Sequence, residues 1–195
     1  LLNKKTMEIG KNSEFINIES VKKYDSGNEV EITFQGEPFK FILGFAPYFQ
    51  ILNILCAAGL AIVSGCNYKE VFSVLEKIEP VKGRYEIIKS NNYSNIIIDY
   101  AHTPEALSYV LRDIKKESTG KVVLVFGCGG SRDQSKRPLM GRVAEKYCDE
   151  IIITNDNPRD EDPSLIADQI LKGCPKARVI PVSYTHLRAH ETHEH

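Results

Sequence analysis

Four things are missing from this sequence, and each absence removes a class of function. Net charge is close to zero, at −1 from 25 basic and 26 acidic residues, which leaves no electrostatic ground for a nucleic-acid partner or an acidic membrane surface. No apolar run approaches the roughly 20 residues of a membrane span. The longest candidate, Phe49–Val63, is interrupted by Gln50 and Asn53, and no stretch reads as a signal peptide. Paired cysteines are absent too. Cys56, Cys66, Cys128, Cys148 and Cys174 form neither a C-x-x-C nor a His/Cys metal pattern, so reduced thiols and a cytoplasmic location are expected. Finally, no G-x-x-x-x-G-K-[ST] phosphate loop occurs anywhere. What remains, 42% hydrophobic and 26% charged over 195 residues, is a globular chain long enough for one domain or two incomplete ones.

Both ends read as cut. The chain starts at Leu1 without a cap or turn signal. The segment 181–195, PVSYTHLRAHETHEH, holds four of the five histidines without helical or strand period. Its first twelve residues resemble the in-frame translation of a sequencing-library adapter. The expectation is a non-native tail after Ile180, excluded from fold reasoning.

Short apolar runs at Phe15–Ile18, Val30–Phe34 and Phe39–Leu43, punctuated by Gly27-Asn28 and Gly36-Glu37-Pro38, predict antiparallel strands joined by tight turns. After a loop at Phe45–Tyr48, the spacing of Ile51, Leu52, Leu55, Ala58, Leu60 and Ile62 predicts a buried helix ending at Gly65. Asn53 is the one polar oddity near its start. A second helix, capped by Asn67, is expected over Tyr68–Ile78. Val81-Lys82-Gly83-Arg84 reads as a domain hinge. Two strands, Tyr85–Lys89 and Asn95–Tyr100, follow around a turn at Ser90–Ser94.

From there strand and helix alternate, which implies a parallel sheet with right-handed crossovers. Thr103-Pro104 and Asp162-Pro163 are N-cap and first-turn pairs opening helices. Asp99 and His102 stand at a strand end with no structural duty of their own. After the apolar strand Lys121–Phe126 comes Gly127-Cys128-Gly129-Gly130-Ser131-Arg132-Asp133. Its glycines let backbone amides approach an anion, but Arg132 stands where a dinucleotide fingerprint needs glycine. Arg132, Lys136 and Arg137 are either solvated charges ahead of a helix over Arg137–Tyr147 or an edge for a carboxylate or phosphate. The run Ile151–Ile153, patterned as a strand buried on both faces, ends in Asp156-Asn157-Pro158-Arg159. Arg159 offers a planar fork for a carboxylate, and Asn157 can donate and accept. Both loops follow successive parallel strands, so they are expected on one rim of the sheet, where α/β folds bind ligands.

Five motifs then carry a resemblance: Gly83-Arg84-Tyr85-Glu86, Asp99-Tyr100-Ala101-His102-Thr103-Pro104, Phe126-Gly127-Cys128-Gly129-Gly130, Lys136-Arg137-Pro138 and Asp156-Asn157-Pro158-Arg159. Their order and spacing over Leu1–Ile180 resemble the Mur ligases. The resemblance implies an α/β chain with residues 1–83 from the C-terminal part of an ATPase middle domain. Residues 84–180 would form most of a Rossmann-like parallel-sheet domain, and both parts would be incomplete. It further implies an ATP-dependent amide-bond ligase of peptidoglycan synthesis, monomeric at full length, working through an acyl phosphate with Mg²⁺. Its substrates would be small molecules: ATP, a UDP-N-acetylmuramoyl dipeptide and an amino acid. The tetrapeptide at Asp156–Arg159 implies meso-diaminopimelate as that amino acid, with Arg132, Asp156, Asn157, Pro158 and Arg159 around it. Asn53 would lie near the adenine, and Arg84, Asp99 and His102 would face the nucleotide. The family's P-loop, carbamylated lysine and magnesium ligands would precede Leu1, and its Gly-Lys-Gly-His-Glu segment would follow Ile180, so the 195 residues alone are expected to be inactive. Ser131 departs from the family's aspartate after the two glycines. Two other readings are a sister ligase, such as folylpolyglutamate synthetase, and a non-catalytic amino-acid-binding module.

Overall fold

The computed structural model describes residues 6–24, 27–44, 47–89 and 95–181. The expected turn at Ser90–Ser94, the loop residues Phe45 and Ala46, the chain start and the histidine-rich tail beyond Pro181 lie outside the described residues. Two compact units part between Tyr100 and Ala101.

The first unit opens with a four-stranded sheet of order β1 (Ile9–Gly10), β2 (Ile16–Tyr24), β3 (Gly27–Phe34) and β4 (Glu37–Leu43). β2, β3 and β4 pair antiparallel, as the alternating runs predict. β1 adds in parallel and was not legible, because two residues carry no period. Strand β3 shows why the register holds. Val30, Ile32 and Phe34 point into the core while Glu29, Glu31 and Thr33 do not, and slipping by one residue would invert that face. The turn into β4 is Gln35-Gly36, with φ of 51° and 80°, the two positive values a two-residue type I′ hairpin requires. Glu37 and Pro38 therefore belong to β4, and Gly27-Asn28 begin β3, where turns were expected.

Helix α1 (Tyr48–Val63) lays Ile51, Leu55 and Ala58 on this sheet. Fully burying each of the two larger side chains stabilises by about 1.5–3 kcal/mol. It is an amphipathic cover rather than the buried helix the sequence implied, since Leu60 is 70% exposed and Val63 56%. α2 (Tyr68–Ser73) is capped as expected, Asn67 Oδ1 accepting from Lys69 N at 2.9 Å. It ends five residues early and passes into a 3₁₀ turn at Leu75–Lys77. The antiparallel hairpin β5 (Glu86–Lys89) and β6 (Asn95–Ile98) completes this unit.

The second unit is the expected alternation: α3 (Pro104–Glu117), β7 (Val123–Phe126), α4 (Lys136–Tyr147), β8 (Glu150–Ile153), α5 (Pro163–Leu171) and β9 (Arg178–Val179). The three strands are parallel, in order β7-β8-β9. Thr103 and Asp162 cap their helices as read, accepting from Ala106 N at 3.2 Å and Ser164 N at 2.8 Å. Leu107, Leu111, Met140, Ala144, Ile166 and Ile170 of the three helices share one core with Ile151 and Ile153. In register, Leu124 pairs Ile151 and Phe126 pairs Ile153 on that side. The intervening Val125, 59% exposed, pairs Ile152 on the other. Among the described residues the sheet is thus covered on one face, not both as the apolar run at Ile151–Ile153 suggested. Among the described residues no helix is long and apolar enough to cross a membrane. All five cysteines are free thiols.

Candidate functional site

Two loops leave the carboxyl ends of adjacent strands in the second unit: the glycine loop after β7 and the Asp156–Arg159 loop after β8. They are stitched together from the strands outward. Thr154 N donates to Phe126 O at 2.9 Å, and Gly130 N donates to Asn157 O at 2.8 Å. Arg159 Nη1 reaches back to Gly130 O at 2.7 Å. The approach is so close that a Cβ on Gly130 would meet the Pro158 carbonyl. Here glycine is required by space, not by φ. The rim expected from strand order is present, and both loops contribute to it.

Arg159 and Ser131 adopt left-handed backbone, φ 49° and 50°, a region side chains with a Cβ enter rarely. Asn157 helps fix the first, its Oδ1 accepting from Arg159 N at 3.2 Å in a local turn. Asp156, Asn157 and Arg159 are exposed and Pro158 is half-buried. Arg132 is exposed and, among the described residues, its guanidinium has neither a hydrogen bond nor an ion pair. A small cleft beneath the loop is lined by Cys128, Thr154, Asp156, Pro158 and Ile166. Burial raises the Cys128 thiol above its usual range, so it sits there as a neutral side chain.

Of three cations read as one edge, two are otherwise engaged. Lys136 Nζ donates to His102 O at 2.8 Å. Arg137 has no exposed surface. Its two Nη atoms bind Glu161 at 2.7 and 2.9 Å, Gln169 Oε1 at 2.7 Å and Gly129 O at 3.1 Å. Glu161 in turn accepts from Ser131 N at 2.5 Å and from Gln134 Nε2 at 3.3 Å. The Arg137 guanidinium, then the Ser131 amide, hold the Glu161 carboxyl well below the usual range, at about 2. Sequence reasoning missed this pair. The only signal was acidity around Glu161, and nothing local says which carboxylate turns inward.

The residues expected near a nucleotide divide between the units. In the first, Phe49 of α1 packs edge-on against Tyr85, ring centroids 5.9 Å apart, and the exposed Asn53 lies one turn further on that helix. Its amide donates to Gln50 Oε1 at 2.9 Å. Tyr85, at φ 51°, donates its N–H to Asp99 Oδ2 at 2.8 Å. The Arg84 guanidinium lies 4.1 Å from the Tyr100 ring centre, a cation–π stack. Asp99 therefore does have structural work, holding a left-handed residue in place. Asn53, Arg84 and Asp99 belong to one region of this unit. His102 is exposed in the second unit, just before α3.

Comparison with known proteins bears on this arrangement. Residues 83–192 match the family described as Mur ligase, glutamate ligase domain. The 2,6-diaminopimelate-adding UDP-N-acetylmuramoyl-L-alanyl-D-glutamate ligase of Rhizobium meliloti is 39% identical over 164 residues, covering 84% of this chain and 34% of that protein. Its counterpart in Aquifex aeolicus is 44% identical over 147 residues, 75% of this chain and 30% of that protein. A solved structure of a UDP-N-acetylmuramoyl-L-alanyl-D-glutamate--2,6-diaminopimelate ligase superposes with TM-score 0.53 at 27% identity, over 91% of this chain and 37% of that one. The chain spans about a third of the length of the curated relatives it matches. With the motifs in order, the parallel sheet and the paired strand-end loops, these matches identify the chain as a member of the Mur ligase family.

Proposed function

We propose that this chain belongs to an ATP-dependent ligase that joins meso-diaminopimelate to UDP-N-acetylmuramoyl-L-alanyl-D-glutamate. The observation that carries the reading is the Asp156–Arg159 loop docked on the glycine loop, with Arg159 and the unengaged Arg132 on one sheet rim. Diaminopimelate differs from lysine by one carboxylate. A bidentate guanidinium and an exposed amide at Asn157 are the groups that recognise it. Lysine lacks that carboxylate and would forgo the charge-assisted contact. The relatives' names support the same substrate.

In this reading residues 1–83 belong to the nucleotide-binding domain and 84–180 to the amino-acid-binding domain, supported by a family match that begins at residue 83. Arg84 fits a phosphate, being exposed and cationic, and Asn53 fits an adenine edge. Asp99 completes that set within the first unit, and His102 is a separate nucleotide-facing candidate in the second. The substrate carboxylate takes a phosphoryl group from ATP, and the amine of the incoming amino acid then displaces phosphate. This chain's contribution is to bind and orient that amine's owner. Among the described residues no cluster of three or more His, Cys, Asp or Glu could hold a metal ion. No step is therefore assigned to Mg²⁺. A monomeric cytoplasmic enzyme is the accompanying expectation.

Titration calorimetry of the 195-residue chain with meso-diaminopimelate and with L-lysine tests the proposal. Preference for diaminopimelate by about tenfold or more is expected. Equal or absent binding overturns it.

A further inference from the structure

The glycine loop is gripped at four successive backbone groups. Gly129 O accepts from Arg137, Gly130 N donates to Asn157 O, Gly130 O accepts from Arg159, and Ser131 N donates to Glu161. Two of those four contacts come from one ion pair, Arg137 with Glu161. Arg137 enters from α4 and is completely buried. Glu161 enters from the other loop, 24 residues away in the chain, and its carboxylate faces both Nη atoms of Arg137, the Ser131 amide and the Gln134 side chain. A carboxylate with three kinds of donor around it has a single orientation open to it.

The consequence lies one residue further on. Ser131 is left-handed and its N–H is pinned, so the direction in which the chain leaves toward Arg132 is set by Glu161. Arg159, on the opposing loop, is set by Gly130. We infer that Glu161 and Arg137 are positioning residues that fix the spacing of the Arg132 and Arg159 guanidinium groups, and so the carboxylate geometry this rim accepts. The inference rests on the amino-acid-binding reading of the two loops.

The test uses Glu161→Gln in the 195-residue chain, which keeps the side chain's length and an acceptor oxygen but removes its charge. Two measurements are made: the ratio of meso-diaminopimelate to L-lysine affinity, and amide hydrogen exchange. We expect the ratio to fall about tenfold. Exchange at Gly130 and Ser131 should quicken by about tenfold, with the amides of α4 and α5 unchanged. A purely structural role would lower both affinities together and leave their ratio alone. If the parent chain shows no preference, the proposed function fails, and exchange still decides the present inference. Unaltered exchange at Ser131 overturns it, as does quickened exchange that leaves a parental preference for meso-diaminopimelate intact. Should Glu161→Gln strand the buried guanidinium and unfold α4 and α5, the double variant Glu161→Gln with Arg137→Met removes both charges. The same two readings then apply.

Discussion

Gly130→Ala is the most incisive single perturbation of the rim. The new Cβ would overlap the Pro158 carbonyl, so the loops must part by more than an ångström to reach ordinary contact. Two bonds cannot survive that separation: Gly130 N to Asn157 O at 2.8 Å and Arg159 Nη1 to Gly130 O at 2.7 Å. A neutral hydrogen bond contributes about 1 kcal/mol net and one from a charged donor about 1.5–3 kcal/mol. The expected cost is therefore about 2.5–4 kcal/mol, confined to the second unit. Gly120→Ala is the control, because a Cβ there meets nothing within 4 Å and the backbone is not left-handed. It should be neutral or stabilise by up to about 1 kcal/mol through the unfolded chain. Urea unfolding followed by far-UV circular dichroism, with exchange at the Gly130 amide as a local probe, reads both. A Gly130→Ala chain within about 0.5 kcal/mol of the control would refute the claim that the loops are in direct steric register.

Acid should loosen the same rim. Glu161 titrates at about 2 in the fold against an ordinary 4.5, so its contribution is complete above pH 4.5 and drains away as pH falls toward 2. Urea midpoints in a pH series should show this slope, and Glu161→Gln should flatten it. Thiol titration with a chromogenic disulfide should find two fast cysteines, the exposed Cys56 and Cys66. Cys148, pushed up to about 12 by burial, Cys174, up to about 11, and Cys128 should react only once the chain is unfolded. Asn67→Ala and Thr103→Ala each remove an N-cap acceptor and should cost about 1 kcal/mol apiece in thermal or urea unfolding.

What the sequence made legible was local chemistry. Thr103-Pro104, Asn67 and Asp162-Pro163 announced helix starts because a cap needs only its own next three residues. The parallel sheet followed from alternation, and the shared rim followed from the sheet. Faces and partners across distance were not legible. Arg137 resembled Arg132 and Lys136 on paper, since nothing in a row of cations says which one turns into the core to meet Glu161. Likewise the apolar run at Ile151–Ile153 could not reveal that Val125 and Ile152 lie on an open face, because hydrophobicity reports suitability for burial rather than its occurrence. At α1 the same ambiguity put Leu60 inside when it stands in solvent.

The left-handed backbone at Ser131, φ 50°, has a consequence for which side chains suit the position. A residue with a Cβ gives up about 1 kcal/mol there, and serine is poorly suited to it. Asparagine, aspartate and glycine are at home in that region. Glu161, which accepts from the Ser131 N–H, holds the bend whatever side chain is attached. A library screened for folding alone should favour asparagine or aspartate at position 131 while leaving Gly130 untouched.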